Sequence, residues 1–140
     1  MQFIKPTKEQ AVLTLPLFTD RVPCGFPSPA QDYVEAELDL NEYCIKRRNS
    51  TYFVRAIGNS MVDIGLYSGD LLVVDKAERP IHGDIVIAEI DGEFTVKRLL
   101  LSPRLALQPM NSAYPTLWPD PEHLQIFGVV TAFIHKTRGN

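Results

Sequence analysis

The 140-residue sequence predicts a mostly β fold preceded by an extended N-terminal arm. From Thr51 onward, short runs rich in β-branched and aromatic residues alternate with glycine-containing turns, a pattern typical of a strand-rich domain. Five of the 11 prolines lie within the first 29 residues, and none lies between 30 and 79. Hydrophobic residues make up 45% of the chain, which is enough to bury one core.

Three segments are predicted along the chain. Residues 1–29 form an extended arm, because each proline removes a backbone N–H donor and biases the residue before it toward extended geometry. Residues 30–48 are richer in acidic side chains, and a weak helical spacing from Leu40 to Cys44 predicts a connector with one helical turn. Residues 49–140 form the folded domain.

Strands and turns alternate through that domain. Asp91-Gly92 joins two alternating runs as a tight hairpin does. Between Pro103 and Pro121 the prolines return, which predicts an irregular excursion or edge-strand loops. The predicted strands are the runs TYFVRAI, LLVVD, DIVIAEI, EFTVKRL, RLALQ and LQIFGVVTAFI.

The charge balance argues against a dedicated nucleic-acid binder. Lys and Arg total 14 against 17 Asp and Glu, a net charge of -3, so the positive surplus that neutralises phosphates is missing. The basic cluster Lys46-Arg47-Arg48 is interpreted as a solvated face. We therefore expect no direct sequence-specific DNA binding, and any contact with DNA would run through a partner or a local patch.

The cysteine count and the hydropathy pattern predict a cytoplasmic protein. Cys24 and Cys44 are too few for a disulfide scaffold or a cysteine-rich metal site, and they fit a reducing compartment. No run approaches the roughly 18 consecutive apolar residues that span a bilayer. The N-terminus also lacks the charged-then-apolar order of a secretory signal, so no membrane association is expected.

Ser60 is the first candidate for catalysis. It follows a predicted strand within Gly58-Asn59-Ser60-Met61, where a turn can expose both its Oγ and nearby backbone N–H groups. A serine is a weak nucleophile unless a base takes its proton. On this segment alone, an ordinary turn serine remains the favoured interpretation.

Lys97 is the second candidate, because it lies in a run typical of a half-buried strand. Strict alternation places Lys97 with Thr95 and Leu99 on one face and Arg98 on the other. One of the two basic residues must then lean inward if either face is buried. Burial lowers the pKa of a lysine, and a neutral amine can act as the general base for a serine. A lysine whose amine reaches solvent at a sheet edge is the competing interpretation.

The histidines offer a rival base. His82 lies in an apparent turn and His135 ends the last predicted strand, so a Ser-His-Asp triad is poorly supported. Together with His123, they give no HExxH or CxxC spacing, and no phosphate-binding glycine loop is present. We therefore expect neither a metal nor another cofactor.

Several motifs together resemble the UmuD-like SOS mutagenesis proteins, which belong to the LexA-like family of self-cleaving Ser/Lys peptidases. The motifs are GNSM around Ser60, the GD and HGD turns, EFTVK ending at Lys97, and GVV near the C-terminus. The similarity covers nearly the full length, including FIKP, FPSPAQDYVE, DLNE and PMNSAY. It implies a LexA/signal-peptidase-like β-rich peptidase domain, with Ser60 as the nucleophile and Lys97 as the general base.

The resemblance also implies a cleavage site within the arm. The family cuts its own chain at a small-residue/glycine bond, and the matching pair here is Cys24-Gly25. An extended, accessible backbone suits a peptidase substrate, and the proline-rich arm supplies one. Pro23 presets the extended approach to the site but removes one N–H that could have bonded to the enzyme.

The resemblance further implies partners and a biological role. A RecA filament on single-stranded DNA would stimulate self-cleavage, and the processed homodimer would join a UmuC-like Y-family polymerase in translesion synthesis. A LexA-type repressor is expected to need a helical DNA-binding domain before the cleavage site. A signal peptidase is expected to need a membrane anchor. A non-catalytic dimeric interaction module that regulates a polymerase stays open as the alternative.

Overall fold

The computed structural model describes residues 2–6, 12–18 and 34–139. Its regular structure is mainly β-strand, which confirms the predicted fold class. Short 3-10 turns lie at Arg48–Ser50, Val62–Ile64 and Pro121–His123. Within the described ranges, no helix is long and apolar enough to cross a membrane. The elements are β1 (Gln2–Ile4), β2 (Thr14–Phe18), β3 (Val34–Asp39), α1 (Leu40–Cys44), β4 (Thr51–Arg55), β5 (Leu71–Asp75), β6 (Ile85–Ile90), β7 (Glu93–Leu100), β8 (Ala106–Gln108) and β9 (Leu124–Ile134).

Two compact units make up the described chain. One contains β1 and β4 to β9, which form a seven-stranded sheet in the order β1-β4-β5-β9-β6-β7-β8. All neighbouring strands in this sheet run antiparallel. The other unit contains β2, β3 and α1, and pairs Leu15 of β2 with Leu38 of β3. Strands β4 to β9 correspond to the six runs that the sequence predicts.

The core of the larger unit lies around its central strands. Leu72 of β5 and Ile87 of β6 are fully buried. Consecutive residues of both strands are buried, which is why their sequences are continuous apolar runs rather than alternations. Met61 and Leu66 belong to the same cluster as Leu72. These two side chains anchor the loop after β4, which carries Ser60.

A tight turn joins β6 to β7, as the sequence predicts. Asp91 has a φ of 50° and Gly92 a φ of 84°, and a type I′ hairpin turn needs positive φ at both positions. The hairpin sets the register of β7 against β6. In that register Lys97 stands opposite Val86, a fully buried residue of the central strand.

Strands β1, β2 and β3 lie in segments for which the sequence predicted extended or connecting chain without strand pairing. β1 pairs with β4, with Phe3 opposite Val54. β3 lies inside the predicted connector and leads directly into α1. Asp39 is the N-cap of this short helix, because its side chain accepts the N–H of Asn41. These three strands are short, and their sequences lack the β-branched and aromatic runs of β4 to β9, so they carry no strand signal in the sequence.

Candidate active site

Ser60 lies in the loop that follows β4. Gly58 has a φ of 95°, a conformation that favours glycine, and it turns the chain out of the strand. Met61 is only 3% exposed and packs into the core on the other side of Ser60. Asn111 Nδ2 donates to the Asn59 carbonyl at 2.9 Å. Contacts on both sides therefore fix the position of the serine relative to the sheet.

Lys97 is brought to this loop by β7. Its Nζ donates to Ser60 Oγ at 3.0 Å, across a sequence separation of 37 residues. The same Nζ donates to Thr95 Oγ1 at 2.7 Å and to the Val96 carbonyl at 3.1 Å. Lys97 is the inward-facing basic residue of the strand, since it is 9% exposed. The structure thus places the two residues singled out in the sequence within hydrogen-bonding distance.

The surroundings of Lys97 favour its neutral form. Burial lowers the pKa of the Lys97 amine below its ordinary value of 10.5, because desolvation penalises the charged ammonium. Among the described residues, none of the ion pairs involves Lys97. No carboxylate of the described ranges therefore opposes the effect of burial.

The hydrogen-bond partners of Lys97 Nζ determine which groups can give a proton to the neutral amine. An ammonium has three N–H donors, which match the three acceptors Ser60 Oγ, Thr95 Oγ1 and the Val96 carbonyl. A neutral amine keeps two N–H groups and gains a lone pair that accepts a proton. The Val96 carbonyl can only accept, so a hydroxyl must face the lone pair. Either Ser60 or Thr95 can supply it. When Ser60 does, its hydroxyl donates to the neutral amine and is positioned to lose its proton.

Comparison with known proteins places this geometry in a family. The model of the family described as Peptidase S24-like matches residues 16–131. The chain belongs to the Peptidase S24-like family. The match includes both Ser60 and Lys97.

Curated relatives of this S24-like chain agree with that assignment. Protein SamA of Salmonella typhimurium is 70% identical over 135 residues, which cover 96% of this chain and 95% of SamA. Protein ImpA of Escherichia coli is 64% identical over 125 residues, covering 88% and 85% of the two chains. The LexA repressor of Alcanivorax borkumensis is 37% identical over 115 residues, covering 81% of this chain and 56% of the repressor. The resemblance to UmuD-like members of the LexA-like family is thereby confirmed.

A small cleft opens beside Ser60 of the S24-like domain. It has a volume of about 140 Å³ and lies between the loop after β4 and the segment Phe94–Val96 of β7. Within the described part of the chain, the backbone N–H groups of Ser60 and Met61 donate to no other protein group. Both residues line the cleft.

The histidines are engaged away from the serine. His82 Nδ1 accepts the Leu101 N–H at 2.9 Å. His135 Nδ1 lies 2.6 Å from Asp70 Oδ1, and His123 Nδ1 lies 3.5 Å from Asp91 Oδ1. In the described ranges, the hydrogen bond to Ser60 Oγ comes from Lys97 and from no histidine. This arrangement favours the lysine over a histidine as the group that acts on Ser60.

The predicted site and the site in the structure differ in two respects. The pair predicted as the cleavage site, Cys24 and Gly25, falls outside the described residues. Thr95, by contrast, was not among the predicted site residues, although its hydroxyl contacts Nζ. Strand alternation had placed Thr95 on the same face as Lys97, and that shared face was the available signal.

Replacing Lys97 with methionine is expected to stabilise the fold near neutral pH, because the desolvation cost of an ammonium without a carboxylate partner among the described residues exceeds the gain from the three hydrogen bonds of Nζ. The pKa of Lys97 is lower in the folded state than in the unfolded state, so the unfolded chain binds more protons between that pKa and 10.5. The stability of the wild type therefore rises with pH across this window. Urea unfolding at several pH values measures both effects. A methionine variant that is less stable than the wild type at neutral pH would contradict the desolvation of Lys97.

Proposed function

We propose that this S24-like chain is a self-cleaving serine peptidase in which Lys97 is the general base, Ser60 is the nucleophile and the Cys24–Gly25 bond is the substrate. The observation that carries the proposal is the 3.0 Å hydrogen bond between Lys97 Nζ and Ser60 Oγ, made by a lysine that is 9% exposed. Membership of the Peptidase S24-like family and the 37% identity to the LexA repressor of Alcanivorax borkumensis support the peptidase chemistry. The choice of Cys24–Gly25 rests on the resemblance to the family.

The reaction proceeds in two halves. Neutral Lys97 takes the Ser60 proton while Oγ bonds to the carbonyl carbon of Cys24, and the backbone N–H groups of Ser60 and Met61 stabilise the resulting oxyanion. Collapse of this intermediate breaks the C–N bond, and the Lys97 ammonium returns its proton to the amine of Gly25. The acyl group of Cys24 then remains on Ser60 as an ester.

Hydrolysis of the ester completes the cycle. Neutral Lys97 accepts a proton from water, whose oxygen attacks the ester carbon. Ser60 Oγ leaves and regains its proton from Lys97, and the new C-terminus of Cys24 departs as a carboxylate. One turnover thus divides the chain into residues 1–24 and 25–140 without consuming any other reactant than water.

The cellular role that fits this chemistry is an SOS-response switch in the cytoplasm. The RecA filament on single-stranded DNA favours the conformation in which the arm occupies the cleft, and it need supply no catalytic group for that purpose. The processed homodimer then acts as a subunit of a UmuC-like, error-prone Y-family polymerase. High identity to SamA and ImpA across most of the chain supports a shared role with these UmuD-like relatives.

In a non-catalytic interaction module, burial of Lys97 would cost free energy of folding and serve no function. The lysine loses hydration without gaining a carboxylate partner among the described residues. Such an unfavourable desolvation is typical of functional sites, where burial adjusts the pKa of a reacting group. The buried Lys97–Ser60 contact therefore favours the peptidase over the inert module.

The rate of self-cleavage is expected to rise with pH. Below the lowered pKa of Lys97, the fraction of neutral amine grows about tenfold for each pH unit, and above that pKa the rate levels off. Single-turnover rates measured by intact-protein mass spectrometry between pH 6 and 10.5 give the profile. A rate that falls with increasing pH, while the chain stays folded, would exclude the neutral amine as the base.

The proposed role is tested with purified RecA. The intact chain is incubated with RecA, single-stranded DNA and a slowly hydrolysed nucleoside triphosphate at neutral pH, with omission of the DNA as the matched control. We expect faster conversion to residues 25–140 only when the filament forms. Cleavage that proceeds equally with and without DNA would contradict the RecA step of the proposal but not the peptidase mechanism.

A further inference from the structure

Strand β1 covers one edge of β4 in the seven-stranded sheet. Its residues Gln2–Ile4 pair antiparallel with Phe53–Arg55. The ladder ends at Ile4, and Pro6, which is buried and has no N–H to donate, cannot extend it. β4 pairs with β5 on its other side. It is therefore an interior strand while β1 is in place and becomes an edge strand if β1 leaves.

The side chain of Phe3 fills a surface site made of aromatic rings. Its ring centroid lies 5.3 Å from that of Phe94 and 4.9 Å from that of Phe127. Tyr52 lies 5.8 Å from Phe127 and completes the group, which we call the aromatic seat (Tyr52, Phe94 and Phe127). Departure of Phe3 would leave an exposed apolar patch, and such patches mark interaction sites.

Lys5 adds a cation directly after this strand. Its Nζ lies 4.7 Å from the centroid of the Tyr52 ring and donates to the Asn49 carbonyl at 2.9 Å. Phe3 and Lys5, two residues apart, therefore both contact rings of the aromatic seat. The occupied site therefore accepts an extended segment with an aromatic side chain followed, two residues later, by a cation.

Cleavage at Cys24–Gly25 would cut the covalent link between β1 and the rest of the sheet. A tethered segment has an effective concentration on the order of millimolar, whereas a free fragment is diluted to the concentration of the protein. A ladder of three residues, with the contacts of one aromatic side chain and one lysine, is too small to hold a free peptide at micromolar concentration. The fragment is therefore expected to dissociate and to uncover β4 together with the aromatic seat.

We infer that the β4 edge and the aromatic seat form a docking site for an extended segment of a partner protein, one that carries an aromatic residue and, two residues later, a lysine or arginine. The segment adds to the sheet as β1 does, with backbone hydrogen bonds to β4 and its aromatic ring against Phe94 and Phe127. The opening of this site by cleavage rests on the proposed function, whereas the site itself does not.

The test uses two full-length proteins that both carry Ser60→Ala, so that neither depends on cleavage. One has no further change, and the other also carries Phe3→Ala and Lys5→Ala to release β1. The probe is a fluorescent peptide of residues 1–12, and the matched control peptide has the same two alanine substitutions. We expect the probe to bind the released variant at least tenfold more tightly than the parent and tenfold more tightly than the control peptide binds. Added probe should also slow amide hydrogen exchange in Thr51–Arg55.

Equal binding to the two proteins, equal binding of the two peptides, or no protection of β4 would overturn the inference. A dissociation constant well below micromolar would overturn it too, because the released fragment would then stay in place. If the released variant fails to fold, wild-type protein is compared before and after self-cleavage, and β4 amides that exchange no faster in the cleaved chain contradict the opening of the site. Absence of cleavage would instead count against the proposed function alone, since the peptide measurements are made without it.

Discussion

A chain in which alanine replaces Lys97 is expected to stay intact under conditions where the wild type cleaves itself. The substitution removes the amine that lies 3.0 Å from Ser60 Oγ, and with it the group that accepts the serine proton. Loss of a general base costs about 10²–10⁴-fold in rate. Arginine at position 97 should fail equally, because a guanidinium stays protonated at any pH that the protein survives. Gel electrophoresis of timed samples at alkaline pH measures the residual rate.

The matched control for Lys97 is Lys136→Ala, which removes an exposed lysine near the end of β9. This variant should cleave at the wild-type rate. Far-UV circular dichroism and urea unfolding of each variant distinguish loss of the base from loss of the fold. Wild-type cleavage by a folded Lys97→Ala protein would show that another group takes the serine proton.

Replacing Ser60 with alanine is expected to have the largest effect of any single change. It removes the atom that bonds to the substrate carbonyl, and loss of a serine nucleophile costs about 10⁶-fold in a related chemistry. The fold should be retained, because Ser60 is half-buried and, among the described residues, its side chain makes one hydrogen bond, which it accepts from Lys97. Intact-protein mass spectrometry over several days at alkaline pH detects even slow conversion.

Ser102→Ala is the control for this substitution, since it removes an exposed hydroxyl in the loop after β7. It should leave the rate unchanged. Cleavage of the Ser60→Ala chain at the same bond and at a rate comparable with the control would assign the nucleophile to a different residue.

The fold of the larger unit could be predicted where its signal is local. Strands β4 to β9 coincide with β-branched runs bounded by turns, and the Asp91-Gly92 pair predicted its hairpin because few sequences tolerate two positive φ values. β1, β2 and β3 were not predicted as paired strands. The prolines of the first 29 residues, including Pro16 of β2, made that segment resemble unpaired chain, and the VEAELD sequence of β3 has no run of β-branched or aromatic residues.

The candidate site was predictable in part from strand alternation. Alternation required either Lys97 or Arg98 to face inward, but it could not choose between them, since the choice depends on which face the rest of the sheet covers. In the folded unit Lys97 is buried, whereas Arg98 is only half-buried. The contact between Nζ and Thr95 also needed the three-dimensional structure, because a shared face does not specify a side-chain rotamer. Cys24 and Gly25 were suggested by family resemblance and remain a prediction.

The most direct measurement of the central claim is the identity of the products formed by the purified chain alone. The wild type is incubated at alkaline pH without any partner, and the products are analysed by intact mass and N-terminal sequencing beside the Ser60→Ala protein. The proposed Ser60–Lys97 mechanism predicts two fragments, residues 1–24 and residues 25–140, with Gly25 as the new N-terminus, and no fragments from Ser60→Ala. A new N-terminus at another residue, or the same fragments from the Ser60→Ala chain, would contradict it.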